Sequence, residues 1–193
     1  MLTLSTTGNW WKRQKYDYAI AAAGCAADRK AVITFARKNK ISFAFDPGQQ
    51  LFGMSRSELR DALQGADTVF VNDYELAVLL KRSGLTHAQL CGRVRALVTT
   101  LGSKGSRIES GGTTYRIPPA KPRAVVDPTG AGDAYRAGYI YGLLVGWPLE
   151  TVGRFAGLVA IYTVEKAGTQ THMFTFKELG ARYKKSFGSS LPI

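Results

Sequence analysis

Four short strings fix where helices begin in this chain. Ser55-Arg-Ser-Glu58, Asn72-Asp-Tyr-Glu75, Thr86-His-Ala-Gln89 and Thr175-Phe-Lys-Glu178 each place a small side-chain acceptor three residues before Glu or Gln. At that spacing the two side chains satisfy each other's orphan backbone N–H groups, so the start is set locally. Before and between these starts lie short apolar runs, residues 16–23, 41–45, 68–71 and 96–101, the last three ended by Asp46-Pro47-Gly48, by Asn72 and by Gly102. They read as buried strands. Asp28 is placed as the cap of a further helix to about Asn39, and Ser55 and Asn72 open helices to about Leu63 and Arg82. Strands alternating with helices specify an α/β fold with a mainly parallel sheet covered by helices. Ligands of such sheets lie beyond the carboxyl ends of strands, and Asn72 to Glu75 falls at one of those ends.

The second half carries the chemistry. Residues 102–106, Gly-Ser-Lys-Gly-Ser, turn sharply out of the fourth apolar run, and Gly111-Gly112 joins residues 107–109 to 113–117 as a hairpin. Val125 and Val126 then close an extended segment, and Asp127-Pro128-Thr129-Gly130-Ala131-Gly132 compresses a turn and a helix start, near Ala131, into six residues. Small residues there let the N–H groups of Gly130, Ala131 and Gly132 approach a ligand at the positive end of a helix dipole, which makes an anion hole. Asp133, in the first turn, is placed to accept a proton from a substrate hydroxyl. The same residues also suit a tight turn followed by a dipole-complementing carboxylate, with no ligand at all. The string is neither a dinucleotide fingerprint nor a Walker loop, since the third glycine of one and the Gly-Lys-Ser/Thr of the other are missing.

Residues 149–167 read as a helix ended by Gly168, with Ala156, Gly157 and Ala160 leaving room for close helix packing or for an adenine ring. The helix opened by Thr175 runs to about Phe187. His87 and His172 read as surface residues, and residues 1–15 as an irregular lead-in.

The 193 residues suffice for one domain. No apolar run approaches the roughly 20 residues of a membrane span, and no secretory signal is recognised, so a cytoplasmic location is expected. Cys25 and Cys91, with no metal-type spacing, are expected as reduced thiols. The net charge of +12 is concentrated at the ends, with Lys12, Arg13, Lys15, Arg29 and Lys30 early and Arg182, Lys184 and Lys185 late. No nucleic-acid recognition motif accompanies it, so nucleic acid is not the expected partner.

The string from Asp127 to Gly138, Asp-Pro-Thr-Gly-Ala-Gly-Asp-Ala-Tyr-Arg-Ala-Gly, closely resembles the C-terminal signature of the PfkB, or ribokinase-like, family of sugar and nucleoside kinases. Thr100-Leu101-Gly102-Ser103-Lys104-Gly105 resembles the turn whose backbone lines the family's ATP site. Asn72 and Glu75 resemble its Asn-x-x-Glu element, which supports magnesium. The run from Val164 to His172, which includes Gly168, and Asp46-Pro47-Gly48-Gln49 are similar to the bacterial adenosine-kinase-like branch. The resemblance implies a three-layer ribokinase-like fold. It implies ATP and Mg2+ as cofactors, with Asp133 as base, Gly130 to Gly132 as anion hole, and Thr100, Gly102, Lys104, Gly105, Ala156, Ala160 and Gly168 along the nucleotide. The helix residues 154–161 depart from the pattern in lacking the Asn that many relatives carry there.

Residues 16–193 match only the C-terminal portion of the family pattern, so the lid sheet, the first strands and most acceptor contacts are expected to be missing. An uncovered sheet edge would then favour a homodimer or other self-association. Three functions remain open at this point. One is an ATP-dependent phosphotransferase acting on a nucleoside or sugar hydroxyl. Another is an inactive nucleotide-binding remnant or partner-completed half, and the third is a basic nucleic-acid-binding domain.

Overall fold

The computed structural model describes residues 15–192; all of the expected lead-in except Lys15 lies outside them. Among the described residues six strands, β1 (Tyr18–Ala21), β2 (Ser42–Phe45), β3 (Thr68–Asn72), β4 (Ala96–Thr100), β5 (Ser106–Ser110) and β6 (Thr113–Ile117), form one sheet in sequence order. Tyr18 pairs with Ser42, and Ala44 with Thr68, in parallel register. The helices are α1 (Ala26–Lys38), α2 (Arg56–Leu63), α3 (Asp73–Ser83), α4 (His87–Cys91), α5 (Ala131–Leu144), α6 (Leu149–Val164) and α7 (Phe176–Phe187). Among the described residues no helix is long and apolar enough to cross a membrane.

All four expected capping boxes form, opening α2, α3, α4 and α7. Three other expectations shift. Asp28 lies inside the first turn of α1, and the cap is Cys25, whose Sγ accepts from the Asp28 N–H. The Asp28 carboxylate still complements the dipole from that position. Val125 and Val126 belong to no strand and are 70% and 56% exposed. Finally, α6 ends at Val164 rather than at about Ala167, because residues 165–168 turn away and the Gly168 N–H bonds to Asp127.

The chain packs as two compact units. The first takes residues up to Thr99 together with Glu109–Thr114, and the second takes Thr100–Ile108 together with Tyr115 onward. The first unit is built on Phe43, Phe45, Val69, Val71, Leu63, Leu79 and Leu97, all buried. In β2 three consecutive residues, Phe43, Ala44 and Phe45, are buried, as expected for a parallel strand covered on both faces. Each such leucine contributes about 2 kcal/mol by leaving water. In the second unit Phe155, Leu158 and Val159 of α6 pack with Leu179 and Tyr183 of α7. Helices α5 and α6 meet at glycine: a Cβ on Gly138 would lie 3.0 Å from the Ala156 Cα, and one on Gly142 would lie 3.2 Å from Val152 Cγ2.

Candidate active site

The start of α5 has no side-chain cap. Gly130 occupies the cap position at φ 82°, in the left-handed region, and a Cβ there would sit 2.9 Å from Thr169 Cβ. Backbone angle and neighbour both demand glycine. The Ala131 N–H bonds back to the Pro128 carbonyl at 3.2 Å, and the Ala134 N–H to the Gly130 carbonyl at 2.9 Å. The N–H groups of Gly130, Gly132 and Asp133 have no acceptor among the described residues. The open donors therefore include Gly130 and Gly132 but extend to Asp133, while that of Ala131 is engaged by the turn. Asp133 itself is half exposed, with its Oδ1 accepting from Arg136 Nη2 at 3.1 Å. Arg136 was not among the expected site residues, although three-residue spacing on a helix brings such pairs together.

What holds this turn open is Asp127. Its Oδ1 accepts from the Thr129 N–H at 2.9 Å and its Oδ2 from the Gly168 N–H at 3.1 Å. The N–H groups of Val126 and Asp127 both donate to the Val164 carbonyl at the end of α6, at 2.9 and 3.1 Å. Hydrogen bonds from the Thr129 side chain, then from the Thr129 and Gly168 backbone, hold the Asp127 carboxyl below its ordinary range. The adjoining corner is anchored by Glu165. Its carboxylate accepts from both Nη groups of Arg182 and, at 2.6 Å, from the Arg123 N–H. Arg182 is also the main cause of its lowered pKa. The Asp-Pro-Thr order signals a local turn at Asp127, but nothing in the sequence pairs it with residue 168.

The Thr100 to Gly105 turn lies in the same unit. Gly102–Lys104 form a single 3₁₀ turn, with the Lys104 N–H donating to the Leu101 carbonyl and the Gly105 N–H to the Gly102 carbonyl at 3.1 Å each, and the Leu101 N–H donating to the Gly105 carbonyl at 2.8 Å closes the loop around it. Gly105 has φ 90°, and a Cβ on it would lie 2.1 Å from the Ile117 carbonyl oxygen, so no side chain fits. Lys104 and Gly102 are exposed and Thr100 is partly so. Ser106, directly after the turn, shares a 2.7 Å hydrogen bond with the hydroxyl of Tyr135 on α5, and burial pushes the Tyr135 phenol up. That bond ties the turn to the helix carrying Asp133.

Of the small residues on α6, Ala156 is fully buried against Gly138, a position accounted for by helix packing, whereas Ala160 keeps some exposure. Asn72 and Glu75 belong to the first unit. Asn72 Oδ1 accepts from the Glu75 N–H at 2.7 Å, and Glu75 Oε2 accepts from the Asn72 N–H at 2.8 Å. Oε1 of Glu75 takes no part in the box.

A profile of the pfkB family of carbohydrate kinases matches residues 18–175. The nucleoside kinase of Methanothermobacter thermautotrophicus is 41% identical over 160 residues, covering 82% of this chain and 51% of that protein. The structure of Burkholderia thailandensis nucleoside kinase in complex with ADP-inosine aligns with a TM-score of 0.88 at 32% identity, over 91% of this chain and 55% of that one. The nucleoside kinase of Methanocaldococcus jannaschii, described as an archaeal member of the ribokinase family, aligns with a TM-score of 0.82 at 32% identity, over 88% and 56%. The chain thus spans about half the length of the relatives it matches. The fold is the three-layer ribokinase-like one. The similarity is to nucleoside kinases broadly, without singling out the adenosine-kinase-like branch.

Proposed function

The chain belongs to the pfkB family of carbohydrate kinases, and on that premise we propose that it carries the phosphoryl-transfer part of an ATP-dependent kinase acting on a nucleoside hydroxyl. The observation that carries this reading is the uncapped start of α5, where the N–H groups of Gly130, Gly132 and Asp133 are open beside the Asp133 carboxylate. Donors fixed by the backbone stabilise charge on a transferring phosphoryl group without reorganising. The Asp133 carboxylate accepts the proton of the acceptor hydroxyl, and Arg136 orients it through the 3.1 Å bond to Oδ1. When bound, ATP would supply the phosphoryl group and Mg2+ would neutralise the charge on its oxygens. The backbone of Thr100 to Gly105, with Lys104 at its exposed side, lines the nucleotide, and Ala160 and Gly168 border it. Oε1 of Glu75, a hard oxygen outside the capping box, suits the water shell of Mg2+, and Asn72 holds that side chain in place. Inosine, named with the Burkholderia relative, and adenosine are the first acceptors to test.

The chain spans only about half the length of its relatives, so binding and turnover need separate measurements. Calorimetric titration of ATP into the chain reads binding. Turnover is read after joining residues 16–193 to the N-terminal portion of the Methanothermobacter enzyme. Asp133→Asn should leave ATP affinity intact and lower turnover in the chimera by roughly 10²-fold or more. Parent-like turnover in that variant would remove Asp133 as the base. ATP binding by a chimera that phosphorylates no nucleoside or sugar would favour a nucleotide-binding role without transfer. Tight, salt-sensitive binding to duplex DNA that survives ATP would point to a nucleic-acid role instead.

A further inference from the structure

Only two cysteines and two histidines occur in the chain, and one of each meets in the first unit beside a carboxylate. His87 and Cys91 are four residues apart on α4, so they share a face of that helix. Glu109 reaches them from β5. His87 Nε2 is 3.1 Å from Glu109 Oε2, and Cys91 Sγ is 3.9 and 4.0 Å from the two ring nitrogens of His87. One ligand atom from each residue lies within 4.8 Å of the others, a grouping found at no other place among the described residues. The box that opens α4 fixes the backbone at His87, with the Thr86 N–H on Gln89 Oε1 at 2.9 Å and the Gln89 N–H on Thr86 Oγ1 at 3.2 Å.

We propose that His87, Cys91 and Glu109 form a three-ligand site for a borderline-soft divalent cation, Zn2+ first. The His87–Glu109 bond accounts for the 3.1 Å separation, and the sulfur joins that pair at a distance where a thiol–imidazole bond is weak. A metal ion explains all three. Tetrahedral Zn2+ holds its N and O ligands about 3.4 Å apart, and S about 3.6 Å from either. The His–Glu spacing is about 0.3 Å shorter than that, and the sulfur must close by roughly half an ångström on the imidazole and by no more than about 1.2 Å on the carboxylate. Thiolate with imidazole selects Zn2+, Co2+ or Ni2+ over Mg2+, so this site is chemically distinct from the Glu75 oxygen assigned above. The His87 side chain is 42% exposed and that of Glu109 is 14% exposed, which leaves the fourth position to water from the solvent side. The bound ion clasps α4 to β5. Binding forms bonds to sulfur, nitrogen and oxygen and releases the thiol proton to solvent, with no redox change.

Cobalt is the probe, because a cysteine ligand gives a thiolate-to-Co2+ charge-transfer band that oxygen and nitrogen ligands do not. The titration is made on a Cys25→Ser protein, which removes the other thiol and leaves a good helix cap at α1. That protein should show the thiolate band at one Co2+ per chain, displaced by Zn2+, and a melting temperature raised by Zn2+. Cys91→Ser in the same background should abolish the band, while His87→Ala and Glu109→Gln should each weaken Zn2+ binding by at least about 10-fold. Circular dichroism shows that each variant is folded. Absence of the band in folded Cys25→Ser protein overturns the proposal, as does undiminished Zn2+ affinity in folded Cys91→Ser.

Discussion

Helices α3 and α5 begin in opposite ways. At α3 the strand β3 hands the chain directly to the helix, since Asn72 is both the last residue of one and the cap of the other, and two reciprocal bonds of 2.7 and 2.8 Å close the start. At α5 a left-handed glycine turns the chain into the helix and no side chain returns to the backbone donors. The first arrangement satisfies itself. The second leaves donors for something else, and its geometry is maintained from outside, by Asp127 bridging to Gly168 and by the Val164 carbonyl. A closed cap can hold a carboxylate rigid, while only an open one can receive an anion.

The contrast breaks most readily at Gly130. Alanine there must take a left-handed conformation, at about 1–2 kcal/mol, and press on Thr169, at about 1–3 kcal/mol more. Gly130→Ala should therefore unfold at markedly lower denaturant and bind ATP more weakly. Stability within about 0.5 kcal/mol of the parent would mean that α5 needs no special start.

Asn72 sharpens the other side. Asn72→Ala should cost about 1 kcal/mol, and Asn72→Ser, which restores a cap oxygen, should recover nearly all of it. If the pair also supports Mg2+, Asn72→Ser in the active chimera should still need several-fold more Mg2+ for half-maximal turnover. An unchanged Mg2+ requirement would reduce Asn72 and Glu75 to a cap alone.

The smallest effect expected is one of pH. Asp127 and Glu165 both titrate below their ordinary ranges in the folded chain, the first through Thr129 and Gly168 and the second through Arg182. Because their folded pKa values are depressed, their stabilising contribution is complete above the unfolded values, about 3.9 and 4.3, and disappears as pH falls through the folded ones. Glu165→Gln should thus lose stability at neutral pH and show a shallower decline on acidification below about pH 4. A decline as steep as the parent's would dissociate Glu165 from the acid transition.

Most of the fold was legible because its signals are local. A capping box spans four residues and is complete in the sequence, so Ser55, Asn72, Thr86 and Thr175 could be read without knowing what surrounds them. The glycines at 105 and 130 were legible as turns. Two element ends differ from their sequence signals, one through an unusual local cap and one through a distant partner. At α1 a thiol three residues before Asp28 took the cap, and α6 stops short of Gly168 because the Gly168 N–H serves Asp127, 41 residues earlier. Burial was equally hidden at Ala156, which looks the same in sequence whether it lines a slot or packs on Gly138.

The sequence by itself determined the alternation of strands and helices, the turn before α5 and the place of Asp133, since each depends on side chains within a few residues and on backbone angles that only glycine takes freely. Tertiary structure alone decided which donors stay open. It brought Gly168 to Asp127 and Glu165 to Arg182, and it set Glu109 beside His87, 22 residues away. Contacts between residues so far apart depend on how the helices and the sheet pack, and no short stretch of sequence contains that information.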